Sequence, residues 1–235
     1  MKFDVKKFWD DEAENHKEFA YMYKENKNAR YPFYEVRLER LIELMSNLPK
    51  GRCLDAGCGM AKAMLPFLEN GWEANGVDSS AKMIDFAKEN LIEKNYDPNI
   101  VSVGAVEDLS MFPDEHFDVV FSMGVIEYLT EEQELNFFKE TKRVLKKNGI
   151  FIPEYINLIF DIATFNRFTV NFYKENILNR FFDDKKNVDE ITEKIKKLVT
   201  MPEKPDKKGK YSTTRDQVYT RGENPLTFKE TVKKR

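Results

Sequence analysis

The sequence predicts an α/β fold with a doubly wound, mainly parallel sheet. Three observations support this prediction: short apolar segments alternate with amphipathic ones between residues 49 and 155, a glycine-containing loop follows the first apolar segment, and the second leads directly into Asp78. Alternating strands and helices are typical of parallel sheets covered by helices. The length of 235 residues suits one such domain with additions. We therefore predict an N-terminal helical cap over 1–48, an α/β core over 49–155, and a lid insert with a C-terminal helix over 156–235.

The N-terminal cap is predicted to be helical because apolar residues recur at three- and four-residue spacings and form one apolar face. The segment 47–51, which contains a proline and a glycine, ends this helix. The residues of the apolar face are Tyr34, Leu38, Leu41, Ile42 and Met45.

The core is predicted to contain strands separated by helices. Ser79 and Ser80 follow the second strand, and their hydroxyl groups can cap the next helix. The basic segment 146–149, which ends in glycine, terminates the last helix of the core. The predicted strands cover 52–55, 72–77, 100–103, 117–122 and a segment that starts at Ile150, and the helices cover 61–70, 81–94 and 131–145.

The pattern changes after residue 154. Residues 155–181 are rich in aromatic side chains, and residues 182–210 are charged and mostly helical or flexible. Two prolines and a glycine within 201–210 indicate a mobile loop, and 225–234 is a further helix candidate. Since no clear strand follows the fifth, we expect the C-terminal strands of the sheet to be missing.

Composition narrows the class of protein. No apolar run approaches the roughly 18 residues of a membrane span, and the charged start of the chain lacks the apolar core of a signal peptide. The expected location is the cytoplasm, without a membrane partner. The two cysteines, Cys53 and Cys58, have no neighbouring histidine and predict neither a disulfide nor a metal site.

The net charge of −3 conceals a basic C-terminal region. From residue 183 onward there are 15 lysines and arginines against 10 aspartates and glutamates. Such a region can attract an anionic substrate or nucleic acid. The alternative interpretation is a solvated, lysine-rich helix and loop.

The segment from Asp55 to Gly59 predicts a nucleoside-cofactor loop. Glycines allow positive φ and leave room for a ligand, while Asp78 at the next strand end can accept hydrogen bonds from ribose hydroxyls. A dinucleotide fold would need a third glycine, which this loop lacks. An acidic Asp55 would repel a pyrophosphate but suits an ammonium or sulfonium group. S-adenosylmethionine carries both, whereas a purely structural turn is the alternative.

Four blocks of this sequence, LDAGCGMA, GVDSS, VEDLSMFPDEHFDVVFSMGVIEYL and KETKRVLKKNGIFI, resemble class I S-adenosylmethionine-dependent methyltransferases in order and spacing. The resemblance covers residues 30–155. It implies a Rossmann-like fold, S-adenosylmethionine as cofactor and S-adenosylhomocysteine as product. The cofactor-binding residues that it implies are Asp55, Gly57, Cys58 and Gly59 in the first block, Asp78, Ser79 and Met83 around the second, and Val106, Glu107, Asp108 and Met123 in the third.

Arg37 adds one more implied ligand. It lies 18 residues before Asp55, the offset of an arginine that binds the cofactor carboxylate in the quinone-pathway O-methyltransferases that this chain resembles. Guanidinium groups pair well with carboxylates, although a surface arginine on an amphipathic helix is the alternative. Three positions depart from the family pattern: Ala61 replaces a glycine, Ala105 an aspartate and Tyr128 a histidine.

The acceptor is expected to be a small molecule methylated on oxygen. Displacement at a sulfonium depends mainly on alignment, and the candidate catalytic residues are Tyr128, Tyr155 and His16. The lid insert resembles that of enzymes tailoring bacterial sugars or phosphorus-containing metabolites. With the basic region, it favours an anionic acceptor such as a phosphorylated sugar or phosphoramidate. The alternatives are a nucleic-acid methyltransferase, a non-catalytic S-adenosylmethionine-binding module and a nicotinamide oxidoreductase.

Overall fold

The computed structural model describes residues 4–14, 33–157, 167–198 and 222–223. The chain divides into two compact units, Met1–Glu154 and Tyr155–Arg235. The first unit contains the predicted cofactor loop and is the one that positions the candidate site.

A five-stranded parallel sheet forms the centre of the first unit. Its spatial order is β3-β2-β1-β4-β5, so the chain reverses its direction of progress between β1 and β4. In such sheets ligands bind in the crevice at the carboxyl ends of the strands beside this reversal. The strands are β1 (Arg52–Ala56), β2 (Glu73–Asp78), β3 (Val101–Val103), β4 (Phe117–Ser122) and β5 (Leu145–Pro153).

Helices flank these strands and confirm the predicted alternation. The serine predicted to cap the second core helix does so, because the Ser80 hydroxyl accepts a hydrogen bond from the backbone of Met83 at 3.2 Å. The next helix begins with a capping box between Thr130 and Gln133. The helices are α1 (5–14), α2 (Phe33–Ser46), α3 (Leu65–Glu69), α4 (Ala81–Glu93) and α5 (Glu131–Val144).

Apolar burial fixes the central strand between two layers of side chains. Every residue of β1 except Arg52 is buried. Leu41 and Met45 of α2 belong to the same buried cluster as Cys53 of β1 and Phe121 of β4. The two-sided burial of β1 explains why this strand has no alternation of polar and apolar residues.

Two predicted boundaries were wrong. The helix predicted from residue 61 begins at Leu65, because Ala61 has a φ of 60°, a left-handed conformation that cannot continue a helix. The fifth strand begins at Leu145 and not at Ile150. Leu145 pairs with Phe117 and Ile150 with Val119, so the predicted basic stop segment forms an irregularity within the strand pair.

The second unit is helical with a small parallel strand pair, β6 (Ile156–Asn157) with β7 (Gly222–Glu223). Helix α6 (Arg167–Tyr173) continues through a π-helical turn, Lys174–Leu178. A later helix, α7, covers Lys185–Leu198. In the described ranges no helix is long and apolar enough to cross a membrane.

Several predictions fall outside the described residues. These are the mobile loop over 201–210, the helix over 225–234, part of the aromatic insert, and residues 15–32 of the N-terminal cap. The missing closing strands also remain a prediction.

Candidate functional site

Asp55 is a buried carboxylate at the carboxyl end of β1. Its side chain is 1% exposed, and neither carboxylate oxygen has a hydrogen-bond partner among the described residues. Burial raises the pKa of Asp55, and the neighbouring carboxylate of Asp78 raises it further. A buried carboxyl group without hydrogen bonds is costly, so this position favours a cationic ligand.

The loop after β1 turns so tightly that it requires glycine at its first position. Gly57 has a φ of 87°, and its N–H donates to the carbonyl of Val77 at 2.8 Å. A Cβ atom on Gly57 would lie 2.1 Å from Cγ2 of Val125, a residue that follows β4. The loop and the segment after β4 therefore pack too closely for any side chain at this position. Cys58, the next residue, is buried with its N–H also bonded to Val77.

Gly59 differs from Gly57 because it faces open space. Its φ is 49°, and a Cβ atom built there would have no neighbouring atom within 4 Å. Its N–H donates to Oδ2 of Asp78 at 2.9 Å. The loop thus leaves a cradle next to an acidic strand end, which is the shape that close approach of a ligand to backbone needs.

Asp78 ends β2 and is held by two backbone donors. Oδ1 accepts from the N–H of Ser80 at 2.9 Å, and Oδ2 accepts from Gly59. Burial raises the pKa of Asp78, while these two N–H groups act in the opposite direction. Each carboxylate oxygen can accept more than one hydrogen bond, so the fixed carboxylate can also accept from vicinal hydroxyls.

Helix α1 borders the same site through specific contacts that the sequence did not identify. The Ser80 hydroxyl donates to Oδ1 of Asp10 at 2.6 Å, and the N–H of Lys82 approaches the same oxygen at 3.4 Å. Met83 belongs to a small buried cluster with Ala13 and Met60, against which Trp9 packs. No local sequence signal relates α1 to the start of α4, because the two segments are about 70 residues apart.

The residues expected to border an adenine follow β3. Val106 is buried, and Glu107 accepts a hydrogen bond from the side chain of Gln133 at 2.7 Å. Asp108 is exposed and accepts from the backbone of Ser110 at 3.1 Å. Ser79, which was predicted to contact the cofactor, is half-buried between Asp78 and Ser80.

Arg37 reaches the carboxyl end of β4 from α2. Its side chain is 16% exposed and forms an ion pair with Glu154, the residue after β5. Nη2 of Arg37 lies 2.8 Å from where a Cβ atom of Gly124 would stand. Met123, the neighbour of Gly124, is half-buried against the main core. The arginine is therefore not a surface residue, and it lies on the β4 side of the crevice.

Two of the three candidate catalytic residues fall within the described ranges. Tyr128 ends the 3₁₀ turn Ile126–Tyr128 after β4, and its ring meets that of Trp9. Tyr155 follows Glu154 in the chain and is half-buried. His16 lies outside the described residues. Within the described ranges, no group of three or more acidic, histidine or cysteine side chains could hold a metal ion.

Together these features fit a cationic nucleoside. Asp55 offers a buried negative charge, Gly59 leaves room along the backbone, and Asp78 presents fixed acceptor oxygens. A pyrophosphate would meet the negative field of both carboxylates, which argues against a dinucleotide.

Comparison with known proteins identifies similarity to methyltransferases. A family model described as a methyltransferase domain matches residues 54–152. A ubiquinone biosynthesis O-methyltransferase from Rhodopseudomonas palustris is 33% identical over 121 residues, which are 52% of this chain and 46% of that protein. A protein of the same name from Bradyrhizobium is 31% identical over 121 residues, with the same coverage of 52% and 46%. This chain thus spans about half the length of these curated relatives.

Two solved structures share the fold. A Pyrococcus horikoshii protein superposes with a TM-score of 0.50 and 31% identity, covering 57% of this chain and 63% of its own. A Methanococcus maripaludis protein assigned to the S-adenosylmethionine-dependent methyltransferases has a TM-score of 0.50 and 20% identity. It covers 84% of this chain and 88% of its own, and its likeness shows the fold alone.

Proposed function

We propose that this chain, whose residues 54–152 are a class I S-adenosylmethionine-dependent methyltransferase domain, methylates an oxygen atom of a small molecule. The observation that carries the proposal is the buried carboxylate of Asp55, which has no hydrogen-bond partner among the described residues. S-adenosylmethionine supplies a methyl group already activated by its sulfonium charge.

The proposed roles of the chain's residues follow from the geometry. Asp55 attracts the positive charge of the cofactor, and Asp78 accepts hydrogen bonds from its ribose hydroxyls. Gly57 and Gly59 let the backbone approach it, and Arg37 binds its carboxylate. Fixed groups of this kind contribute through alignment, which is the main requirement of a displacement at a methyl carbon. The remaining proposed cofactor contacts are Cys58, Ser79, Met83, Val106, Glu107, Asp108 and Met123.

Oxygen is the proposed acceptor atom because the relatives from Rhodopseudomonas and Bradyrhizobium are named O-methyltransferases. A hydroxyl acceptor with a high pKa would need a base, for which Tyr128, Tyr155 and His16 remain our candidates. A phosphoryl oxygen would need none, because it is already ionised.

An anionic acceptor, such as a phosphorylated sugar or phosphoramidate, is the finer part of this proposal. Its support is the excess of lysine and arginine after residue 183. Among the described residues of that region, Lys194 and Lys196 form ion pairs with Glu190 and Glu193. Because these two lysines are already paired with glutamates, the acceptors to be tested include neutral phenols as well as anionic metabolites. The cytoplasm is the location that we propose.

The test has two stages. Calorimetry should detect binding of S-adenosylmethionine and of S-adenosylhomocysteine, and failure to bind either ligand would exclude every version of this function. Release of S-adenosylhomocysteine is then measured with phenols, phosphorylated sugars, phosphoramidates and bulk RNA. Turnover with RNA alone would replace the small-molecule proposal, and cofactor binding without turnover on any acceptor class would favour a binding module.

A further inference from the structure

Glu154 occupies a fixed position at the carboxyl end of β5, just beyond the segment matched by the family model. Its backbone N–H donates to the carbonyl of Ser122 at 2.9 Å, so it continues the pairing of β5 with β4. The sheet therefore sets the place of its Cα atom, with little freedom left for the backbone.

The side chain of Glu154 also has two fixed polar partners. Its side chain is 26% exposed, and its carboxylate pairs with Nη2 of Arg37 and accepts a hydrogen bond from the backbone of Gly124. Burial raises the pKa of Glu154, and the charge of Arg37 acts in the opposite direction. Burying a carboxylate is favourable only when such partners compensate it.

The carboxylate of Glu154 gives Arg37 a partner that can orient it. An arginine side chain has many rotamers, and ordering it costs conformational entropy. The guanidinium lies against Gly124, which has a φ of 70° and whose absent Cβ atom makes room for Nη2 at 2.8 Å. Gly124 leaves space for the guanidinium of Arg37, and the carboxylate of Glu154 pairs with it. Together they define the orientation of the guanidinium plane.

We propose that Glu154 is a positioning residue, which orients the guanidinium of Arg37 for the carboxylate of the cofactor's methionine moiety. This inference rests on the proposed function of the site. The acidic ends of β1 and β2 repel a ligand carboxylate, whereas Arg37 brings a cation to the end of β4. A guanidinium presents five N–H donors in one plane, so a pair with one carboxylate fixes the plane in which a second carboxylate is bound.

The opposite relationship, in which Glu154 competes with the ligand for Arg37, predicts an effect of opposite sign. Competition would make the loss of the Glu154 charge strengthen cofactor binding. Positioning makes the same loss weaken it, and only for ligands that carry the carboxylate.

The experiment compares S-adenosylmethionine with its decarboxylated form, which keeps the ammonium and sulfonium charges. Dissociation constants are measured by calorimetry for the full chain and for Glu154→Gln, Arg37→Ala and the double variant. We expect Glu154→Gln to weaken S-adenosylmethionine binding about tenfold, the scale for disturbing a charged hydrogen bond, and to leave the decarboxylated ligand within about twofold. The double variant should be no weaker than Arg37→Ala, because the two residues act as one unit.

Glu43→Gln is the matched control, since Glu43 pairs with Arg40 on the exposed part of the same helix. It should change neither dissociation constant. If Glu154→Gln does not fold, Glu154→Asp serves in its place, because it keeps the charge and withdraws the carboxylate from Nη2 of Arg37. The same selective loss is expected.

Tighter binding of S-adenosylmethionine by Glu154→Gln, an unchanged constant, or equal losses for both ligands would each overturn the positioning role. Absence of binding by the unsubstituted chain would instead overturn the proposed function on which the inference rests. The two failures are therefore distinguishable.

Discussion

The indole of Trp9 meets the ring of Tyr128 edge-on, with 5.7 Å between the ring centroids. Asp10, the next residue of α1, is hydrogen-bonded to Ser80 at the start of α4. Helix α1 therefore contacts the segments that follow β2 and β4, the strands on either side of β1. A contact on both sides makes the helix sensitive to whatever binds at the end of β1.

Tryptophan fluorescence should report this sensitivity. The chain has two tryptophans, Trp9 and Trp72, so Trp72→Phe leaves Trp9 as the only indole. Because Trp9 packs against the cluster of Met60 and Met83, its emission should change when S-adenosylmethionine is titrated. The converse variant, Trp9→Phe, should show no comparable change. Identical Trp9 spectra at saturating cofactor would refute the placement of α1 beside the site.

Replacing Asp55 should separate stability from binding. Asp55→Asn removes a buried charge that has no hydrogen bond, so we expect the free energy of unfolding without cofactor to rise by about 1–3 kcal/mol. Cofactor binding should weaken by a similar amount. Asp118→Asn is the matched control, because Asp118 accepts hydrogen bonds from Lys146 and from the backbone of Arg52, and its loss should destabilise the fold. Urea unfolding and calorimetry measure the two quantities.

The effect of Asp55→Asn on the free energy of unfolding should depend on pH. Burial, and then the charge of Asp78, raise the pKa of Asp55 above 3.8, so the folded state holds this proton to higher pH than the unfolded chain does. Ionisation of Asp55 therefore costs stability as the pH rises through the folded value. The stability gained by Asp55→Asn should grow with pH and vanish below pH 3.8. A gain that is constant across urea titrations from acid to neutral pH would contradict this account.

Alanine substitutions at two loop glycines should have different consequences. Gly57→Ala collides with Val125 and should lower the free energy of unfolding by about 2–4 kcal/mol, because overpacking and backbone strain add. Gly59→Ala meets no atom within 4 Å, so it should cost only about 1 kcal/mol of strain. Its methyl group should nevertheless weaken cofactor binding more than tenfold by filling the cradle.

Gly71→Ala controls for strain alone. Gly71 has a φ of 83° in the turn before β2, and the nearest atom to its added Cβ would be 3.9 Å away. Its stability loss should match that of Gly59→Ala, with unchanged cofactor affinity. Equal affinities for Gly59→Ala and Gly71→Ala would remove Gly59 from the site.

Asp78 is expected to stabilise the conformation of the cofactor loop and to contribute to cofactor binding. Asp78→Ala leaves the N–H groups of Gly59 and Ser80 without their acceptor, and it should weaken cofactor binding by about 1–3 kcal/mol. Asp97→Ala is a suitable control, because Asp97 accepts from the backbone of Asn99 at an exposed turn. It should reduce stability slightly and leave affinity unchanged. Unaltered affinity in Asp78→Ala would show that the ribose assignment is misplaced.

The sequence predicted those features that local chemistry determines. The cofactor loop, Asp78 at a strand end and the cap at Ser80 all follow from residues a few positions apart. The start of α3 was mispredicted because the left-handed φ of Ala61 is a property of the packed loop and not of alanine. The contacts of Asp10 and of Glu154 were invisible for another reason: each joins segments that only the folded sheet brings together.

Arg37 and Glu154 are 117 residues apart in the chain, and all five strands of the central sheet lie between them. A growing chain can form β1 and β2 early, but it exposes the other edge of β1 until β4 emerges. The site is therefore completed among the last contacts of the first unit, and a bound cofactor favours only the finished state. Its stabilisation grows with the logarithm of cofactor concentration, so resistance of the chain to proteolysis should follow the cofactor supply. If the proposed cofactor binds as described, a larger supply of it in the cell would lengthen the lifetime of this protein.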